Sequence, residues 1–308
     1  MARRLAALDI GTNTVHVLVA DAVAGGLDDV AHYVEMPEVG RWVERDGRVG
    51  REGTHAVHVA LDRVIRQARA HGYEHLVAGA TEALRRAADR DQVLAGASAA
   101  LGVPVRLIPE AREAELSFLG AALRHAVPGD WLLADIGGGS TELVPARDEH
   151  MLGWVSLPVG SGIGRRFLSD PPSGAERSAL RESVAAVLAR GPDRGPEELV
   201  VTGGTAGNLP LVLSATAPPL VIDSGRLDEA TIRLDDGPAQ AVAAATGLSE
   251  ARIRALRGGV EILRLLLDRH HLPAFSVSYE GLRHGMLREY LRVGDGWWRE
   301  TSGDTGAR

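Results

Sequence analysis

One short pattern occurs twice in this chain, and that repetition constrains the fold more than any other feature. The second copy is Trp131-Leu-Leu-Ala-Asp-Ile-Gly-Gly-Gly-Ser-Thr-Glu-Leu-Val144. An apolar run ends in Asp135, three glycines follow, and two hydroxyls and Glu142 lead back into apolar residues. The spacing predicts a strand, a tight turn at Gly137, Gly138 and Gly139, and a returning strand. Glycines let a backbone come close to a ligand and adopt positive φ, so the turn's N–H groups can converge on an anion. Ser140 and Thr141 add hydroxyl donors, and Asp135 with Glu142 offers oxygen to a hard cation. The bland alternative is a glycine-rich hairpin that binds nothing.

The first copy, Leu8-Asp-Ile-Gly-Thr-Asn-Thr-Val-His-Val-Leu-Val19, weakens that alternative. Asp9 corresponds to Asp135, Gly11 to Gly137 and Thr14 to Ser140. A repeat on this scale predicts two homologous halves facing one another across a cleft, with both hairpins gripping one phosphate-bearing ligand. The length of 308 residues suits two domains. We place the boundary at Pro128-Gly-Asp130, giving domains 1–126 and 127–308, with the last helix able to pack back on the first domain.

Composition removes several chemistries. There are no cysteines, which excludes disulfides and thiolate metal sites. Every one of the 34 basic residues is arginine, so neither the Gly-Lys-[Ser/Thr] phosphate loop nor Schiff-base chemistry is available. A net charge of −7 argues against a nucleic-acid surface. No stretch reads as a secretory leader or a membrane span, so a cytoplasmic location is expected.

Between the hairpins, Asp28–Tyr33 reads as a third strand and 36–53 as irregular. Val57, Ala60, Leu61, Val64, Ile65 and Ala68 share one helical face. Leu76–Ala80 and Val103–Ile108 read as strands. Asp91 is the expected cap of a helix to Leu101, and Pro109 opens another to about His125. In the second half, Met151–Val159 and Leu199–Thr202 read as strands, Ala179–Ala189 as a helix and 218–237 as turn-rich with short elements. Gly258-Gly259 is expected to break the helical pattern after Ser249. Phe275–Val277 is the last strand and Gly281–Leu291 the last helix. Residues from Gly294 onward read as frayed, although Trp297-Trp298 has a surface to dock.

Taken with the hairpins, further motifs make the chain resemble the exopolyphosphatase / guanosine pentaphosphate phosphatase (Ppx/GppA) family over residues 5–290. They are Asp9-Ile-Gly-Thr-Asn-Thr14, Ala80-Thr-Glu-Ala-Leu-Arg85, Glu113-Ala-Glu-Leu-Ser-Phe-Leu-Gly120, Asp135–Leu143, Gly203-Gly-Thr205 and Tyr279-Glu-Gly-Leu-Arg-His-Gly-Met-Leu287. The resemblance implies an α/β fold of two ribonuclease-H-like domains, as in the actin, Hsp70 and sugar-kinase superfamily. It also implies release of terminal phosphate from polyphosphate or pppGpp. Glu113 matches the family's catalytic carboxylate, which positions water. Asp135 and Glu142 match the acids that hold a divalent metal, and Asp9 is expected to reach it through water. Mg2+ (or Mn2+) is the expected cofactor because it pairs phosphate with few carboxylates. Gly11, Thr12, Asn13, Thr14, Gly137, Gly138, Gly139, Ser140 and Thr141 are the expected phosphate contacts, joined by Arg85.

The chain departs from the family in places. Arg112 stands where a second acid is usual, and is expected either to retune Glu113 or to contact phosphate. Gly40-Arg-Trp-Val43 replaces an Arg-Leu-Gly motif, and His284 replaces a glutamate. No His-Asp dipeptide of the longer relatives occurs, which reads as a short two-domain form. Arg86 reads as a solvated helix face, and Arg165 as either that or a ligand contact. His55, His58, His270 and His271 read as surface residues. Two other readings stay open: a sugar- or acetate-type kinase using Gly203-Gly-Thr-Ala-Gly207 for adenosine, and a non-catalytic nucleotide-binding or filament protein. Substrate is the expected partner, with neither nucleic acid nor membrane, and a homodimer is left open.

Overall fold

The computed structural model describes residues 3–123, 128–193, 195–214 and 221–300. These form two compact units, one built from 3–123 with 280–300 and the other from 128–279. No helix among the described residues is long and apolar enough to cross a membrane.

In the first unit, β1 (Arg3–Ile10), β2 (Val15–Val23) and β3 (Gly26–Glu35) form an antiparallel meander. The helices α1 (Val39–Asp46) and α2 (Gly50–Arg69) follow. Then come β4 (His75–Ala80), α3 (Glu82–Arg86), α4 (Arg90–Leu101), β5 (Val105–Leu107) and α5 (Glu110–Ala121). The sheet order is β3-β2-β1-β4-β5, with β4 parallel to β1 and β5 parallel to β4. Strand alternation splits β1 between two cores. Ala6, Leu8 and Ile10 pack with the α2 row Val57, Leu61, Val64 and Ala68, while Leu5 and Ala7 face the opposite side with Ile108 and Leu116.

The expected irregular segment 36–53 instead holds α1 and the start of α2. Gly47, at φ 67°, ends α1 in the left-handed conformation, and Asp89 accepts the Val49 and Gly50 N–H groups at the start of α2. Asp89, not Asp91, is therefore the acid at the α4 boundary.

The second unit opens with the hairpin β6 (Asp130–Ile136) and β7 (Thr141–Arg147), followed by short β8 (His150–Met151) and β9 (Val155–Leu157). The single strand expected over Met151–Val159 is thus two pieces, both paired with β7. After α6 (Gly164–Phe167) and α7 (Gly174–Leu188) come β10 (Glu198–Thr202), α8 (Gly204–Val212), β11 (Val221–Asp223), α9 (Ser224–Asp235) and α10 (Ala239–Thr246). The long α11 (Glu250–His270) and β12 (Ala274–Val277) complete it. The expected turn-rich stretch 218–237 contains α9, and its residues 218–220 lie outside the described set.

The sheet order β11-β12-β10-β6-β7-β8 repeats the plan of the first unit. Each has an antiparallel hairpin flanked by a parallel strand, β4 or β10, and then a second parallel strand, β5 or β12. Both units are ribonuclease-H-like. The expected break at Gly258-Gly259 does not occur, because α11 runs through it. The two glycines serve close packing: a methyl on Gly258 would lie 2.5 Å from the Ser161 carbonyl oxygen, and one on Gly259 would lie 2.4 Å from the Thr205 side chain. His270, expected at the surface, is buried, and burial holds its imidazole below the ordinary value.

The chain then returns to the first unit as α12 (Leu282–Val293). Leu282, Met286 and Leu287 join Leu5, Ala7, Val77 and Leu116 in one core, and Trp297 docks there at 4 % exposure. Contact with α5 follows one stripe. Leu116 meets Gly285 and Gly120 meets Gly281, with Arg112 and Glu289 paired one turn further on. Each step is four residues on either segment, so one ridge runs along both in opposite directions. A methyl on Gly285 would lie 1.8 Å from the Leu116 carbonyl oxygen, which fixes glycine at that crossing.

Candidate functional site

Both hairpin turns close by the same hydrogen bond. Gly11 N–H donates to the Thr14 carbonyl at 2.8 Å, and Gly137 N–H to the Ser140 carbonyl at 3.0 Å. Asp9 and Asp135 occupy equivalent places, two residues before each turn's first glycine. Asp9 continues the Leu5–Ala7 row of β1 and therefore lies on the sheet face that α5 covers.

The first turn is pinned from outside. Its Thr12 and Asn13 carbonyls accept from the Gly40 and Glu38 N–H groups at 2.8 and 3.0 Å. This gives Gly40, in the segment that departs from the family motif, a clear task, and a methyl there would collide with Thr12 at 2.4 Å. The Thr12 hydroxyl donates to Glu82 at 2.8 Å in a buried setting, and Arg86 donates to the other Glu82 oxygen at 2.8 Å. That bond to Glu82 holds the Arg86 guanidinium above its ordinary value. Arg86 is thus a partner of the turn's support, in addition to lying half in solvent. Glu82 is the acid that sequence reasoning missed. Its signal lay inside the Ala80-Thr-Glu-Ala-Leu-Arg85 motif, where only the arginine drew attention.

Glu113 lies in the first turn of α5 and is 7 % exposed. Arg85 donates to its Oε2 at 2.5 Å and to the Ile108 carbonyl at 2.9 Å. The expected phosphate contact therefore bears directly on the candidate catalytic acid and fixes its orientation.

Arg112 is not placed to contact phosphate, one of the two roles expected of it. Successive helix residues point about 100° apart, and this one turns into the core at 1 % exposure. It donates to Glu289 at 2.7 Å, to Glu115 at 2.6 Å and twice to the Trp297 carbonyl, at 2.5 and 2.9 Å. Burial works to raise the Glu289 carboxyl, but bonds from Arg292 and Arg112 outweigh it and hold the group below its ordinary value. His284 is also buried. Its Nε2 lies 3.0 Å from Asp29, and Asp29 contacts His32 at 2.8 Å. Burial opposes ionisation of Asp29, but its bonds with these two histidines prevail and hold it well below the carboxylate range.

In the second unit, Asp135 and Glu142 stand opposite one another across β6 and β7, so their side chains share one face. Glu142 is 1 % exposed and accepts from Ser156 at 2.8 Å. Thr141 donates to the Val159 carbonyl at 2.6 Å. The segment after β9 closes over the glycine turn: Ser161 and Gly162 N–H donate to the Gly137 and Gly138 carbonyls at 2.9 and 2.8 Å. Gly160 passes so close that a methyl on it would lie 2.6 Å from Gly138 C and Gly139 N. Arg165 folds back over Gly162. Gly203, at φ 94°, turns β10 into α8 against the Ile136 carbonyl and Asp135. Ser156 was not singled out from sequence, and Gly160 read only as the glycine-rich start of a helix, because nothing local marks either as a support of an earlier turn.

Two adjacent carboxylates, one oriented by a hydroxyl, suit Mg2+, which takes one or two carboxylates and completes its shell with phosphate and water. Among the described residues, no group of three or more His, Asp or Glu side chains is placed to hold a metal unaided. His55 is exposed, as expected, whereas His58 packs against Gly96 with its Nε2 buried.

Comparison with known proteins bears on the family and the fold. An uncharacterized protein of Streptomyces coelicolor is 30% identical over 325 residues, 96% of this chain and 93% of that protein. Exopolyphosphatase 1 of Mycobacterium tuberculosis is 33% identical over 193 residues, 60% of this chain and 55% of that enzyme. The crystal structure of an exopolyphosphatase from Cytophaga hutchinsonii shares the fold, with a TM-score of 0.84 at 22% identity over 94% of this chain and 98% of that one. The sequence profile of the Ppx/GppA phosphatase family matches residues 18–293, and this chain belongs to that family.

Proposed function

We propose that the protein is a metal-dependent phosphohydrolase that releases terminal phosphate from inorganic polyphosphate. The observation that carries this reading is the Arg85–Glu113 pair at 2.5 Å, on the unit whose acid-bearing hairpin turn is pinned through Glu82. Phosphoryl transfer passes through a loose transition state, so placing the attacking water counts for more than basicity. Glu113 positions that water and takes its proton, while Arg85 fixes the direction of the carboxylate. The backbone N–H groups and hydroxyls of Gly11–Thr14 and Gly137–Thr141 bind phosphate oxygens. Asp135 and Glu142 would hold Mg2+. Bound there, the ion would offset the charge of the phosphates.

The test is phosphate release by the purified protein with Mg2+ and, separately, polyphosphate, pppGpp and ATP. Glu113→Gln is expected to lose activity by on the order of 10²- to 10⁴-fold, whereas exposed His55→Ala keeps it. Full activity in Glu113→Gln would sink the assigned mechanism. Faster release from pppGpp would move the substrate within the family. ATP turnover only with an added sugar or acid acceptor would replace hydrolysis by a kinase reaction.

A further inference from the structure

We infer that Arg112 is the positioning residue for Glu113, and that it acts by tying the first turn of α5 to α12 and to the Trp297 carbonyl. The inference rests on the reading of Glu113 given above and adds how that residue is held. Two anchors converge on this turn from different directions. Arg85 holds the Glu113 side chain, and Arg112, one residue earlier, holds the backbone through Glu289 and Trp297.

The far ends of the Arg112 anchor are themselves fixed. Glu289 is gripped by Arg292 through both oxygens, at 2.7 and 2.8 Å. Trp297 is sunk in the core beside Leu5 and Met286. The Leu116–Gly285 and Gly120–Gly281 contacts bring the backbones of α5 and α12 together along the rest of the stripe, and a glycine on α12 leaves no side chain to slide. At the Arg112 end, bonding replaces that close approach, and it does so where the candidate acid emerges. An arginine is suited to this because one planar fork reaches Glu289, Glu115 and a carbonyl at once. The usual second acid at this position could not make such a bond to Glu289.

Arg112→Met separates positioning from folding, because Glu289 keeps Arg292 as its partner. The expected result is a fall in kcat of on the order of 10- to 100-fold with KM within about twofold. Arg112→Lys, which keeps the charge, should recover part of the loss. Leu287→Ala, in the same core, should lower the melting temperature and leave kcat unchanged. Hydrogen exchange gives a readout that needs no substrate: Glu113 and Ala114 amides should exchange faster in Arg112→Met and not in Leu287→Ala. Unchanged exchange at those amides, or equal effects of Arg112→Met and Leu287→Ala on kcat, would overturn the inference. Glu113→Gln is assayed alongside. Its full activity would remove the catalytic reading of Glu113, while the exchange result still decides whether Arg112 holds the turn.

Discussion

Replacing Gly160 by alanine tests the glycine turn of the second unit with little else disturbed. Gly160 has φ −142° and ψ −179°, an extended conformation that alanine adopts without strain, so the effect is purely one of space. The added methyl would lie 2.6 Å from Gly138 C and Gly139 N and 2.7 Å from the Gly137 carbonyl oxygen. Ordinary contact begins at 3.4 Å, so the two backbones must part by the difference, about 0.8 Å. No flexible side chain can give way, and the Ser161 and Gly162 bonds to the turn resist separation. Overpacking of this kind costs about 1–3 kcal/mol. A displacement near 1 Å in a binding constellation costs on the order of 10- to 100-fold in rate. The assay pairs phosphate release with thermal unfolding, and Gly153→Ala serves as reference because nothing lies within 4 Å of its methyl. If Gly160→Ala matched Gly153→Ala in both rate and melting temperature, the assignment of this turn to phosphate binding through its packed geometry would be wrong.

Two further substitutions probe the first unit. Thr12→Val removes the hydroxyl that donates to buried Glu82 and should cost about 1–3 kcal/mol, while Thr12→Ser restores the bond; equal denaturant midpoints for the two variants would contradict it. Glu289→Gln probes the charge beneath α5. The Glu289 carboxyl is held below its ordinary value, so its stabilisation is present above the unfolded-state value of about 4.3 and fades as pH falls below it. The gap in melting temperature between the wild type and Glu289→Gln should therefore be widest near neutral pH and narrow on acidification; a gap that widened in acid would refute the sign.

What the sequence revealed was what short-range geometry determines. The two hairpins are closed by bonds three residues apart, and the inward face of α2 is written in the spacing of Val57, Leu61, Val64 and Ala68. The hairpin acids and glycines could be named for the same reason, whereas Glu113 was named through the family resemblance. Arg112 could not be understood this way, because its partners Glu289 and Trp297 come more than 170 residues later. Sequence adjacency to Glu113 suggested a shared outward face, whereas the helix sends the two side chains in different directions. Gly258-Gly259 misled for a related reason: glycine lowers helix propensity, but here the missing side chains admit Ser161 and Thr205, and packing decides. Glu82 was hidden because its importance depends on Thr12, a residue on another strand's turn.

The return of α12 to the first unit has a consequence in time. Everything the second unit needs for its core lies between Leu132 and Val277. The first unit is different: one face of its sheet, with Leu5, Ala7, Leu18 and Val77, is covered in part by Leu282, Met286, Leu287 and Trp297. Residues 124–279 must be made in between, which takes roughly 10–30 s at a synthesis rate of about 5–20 residues per second. For that interval the earliest strands of the nascent chain hold an apolar face covered only in part, by Ile108 and Leu116. The ribosome thus delivers a complete second unit before the first can close.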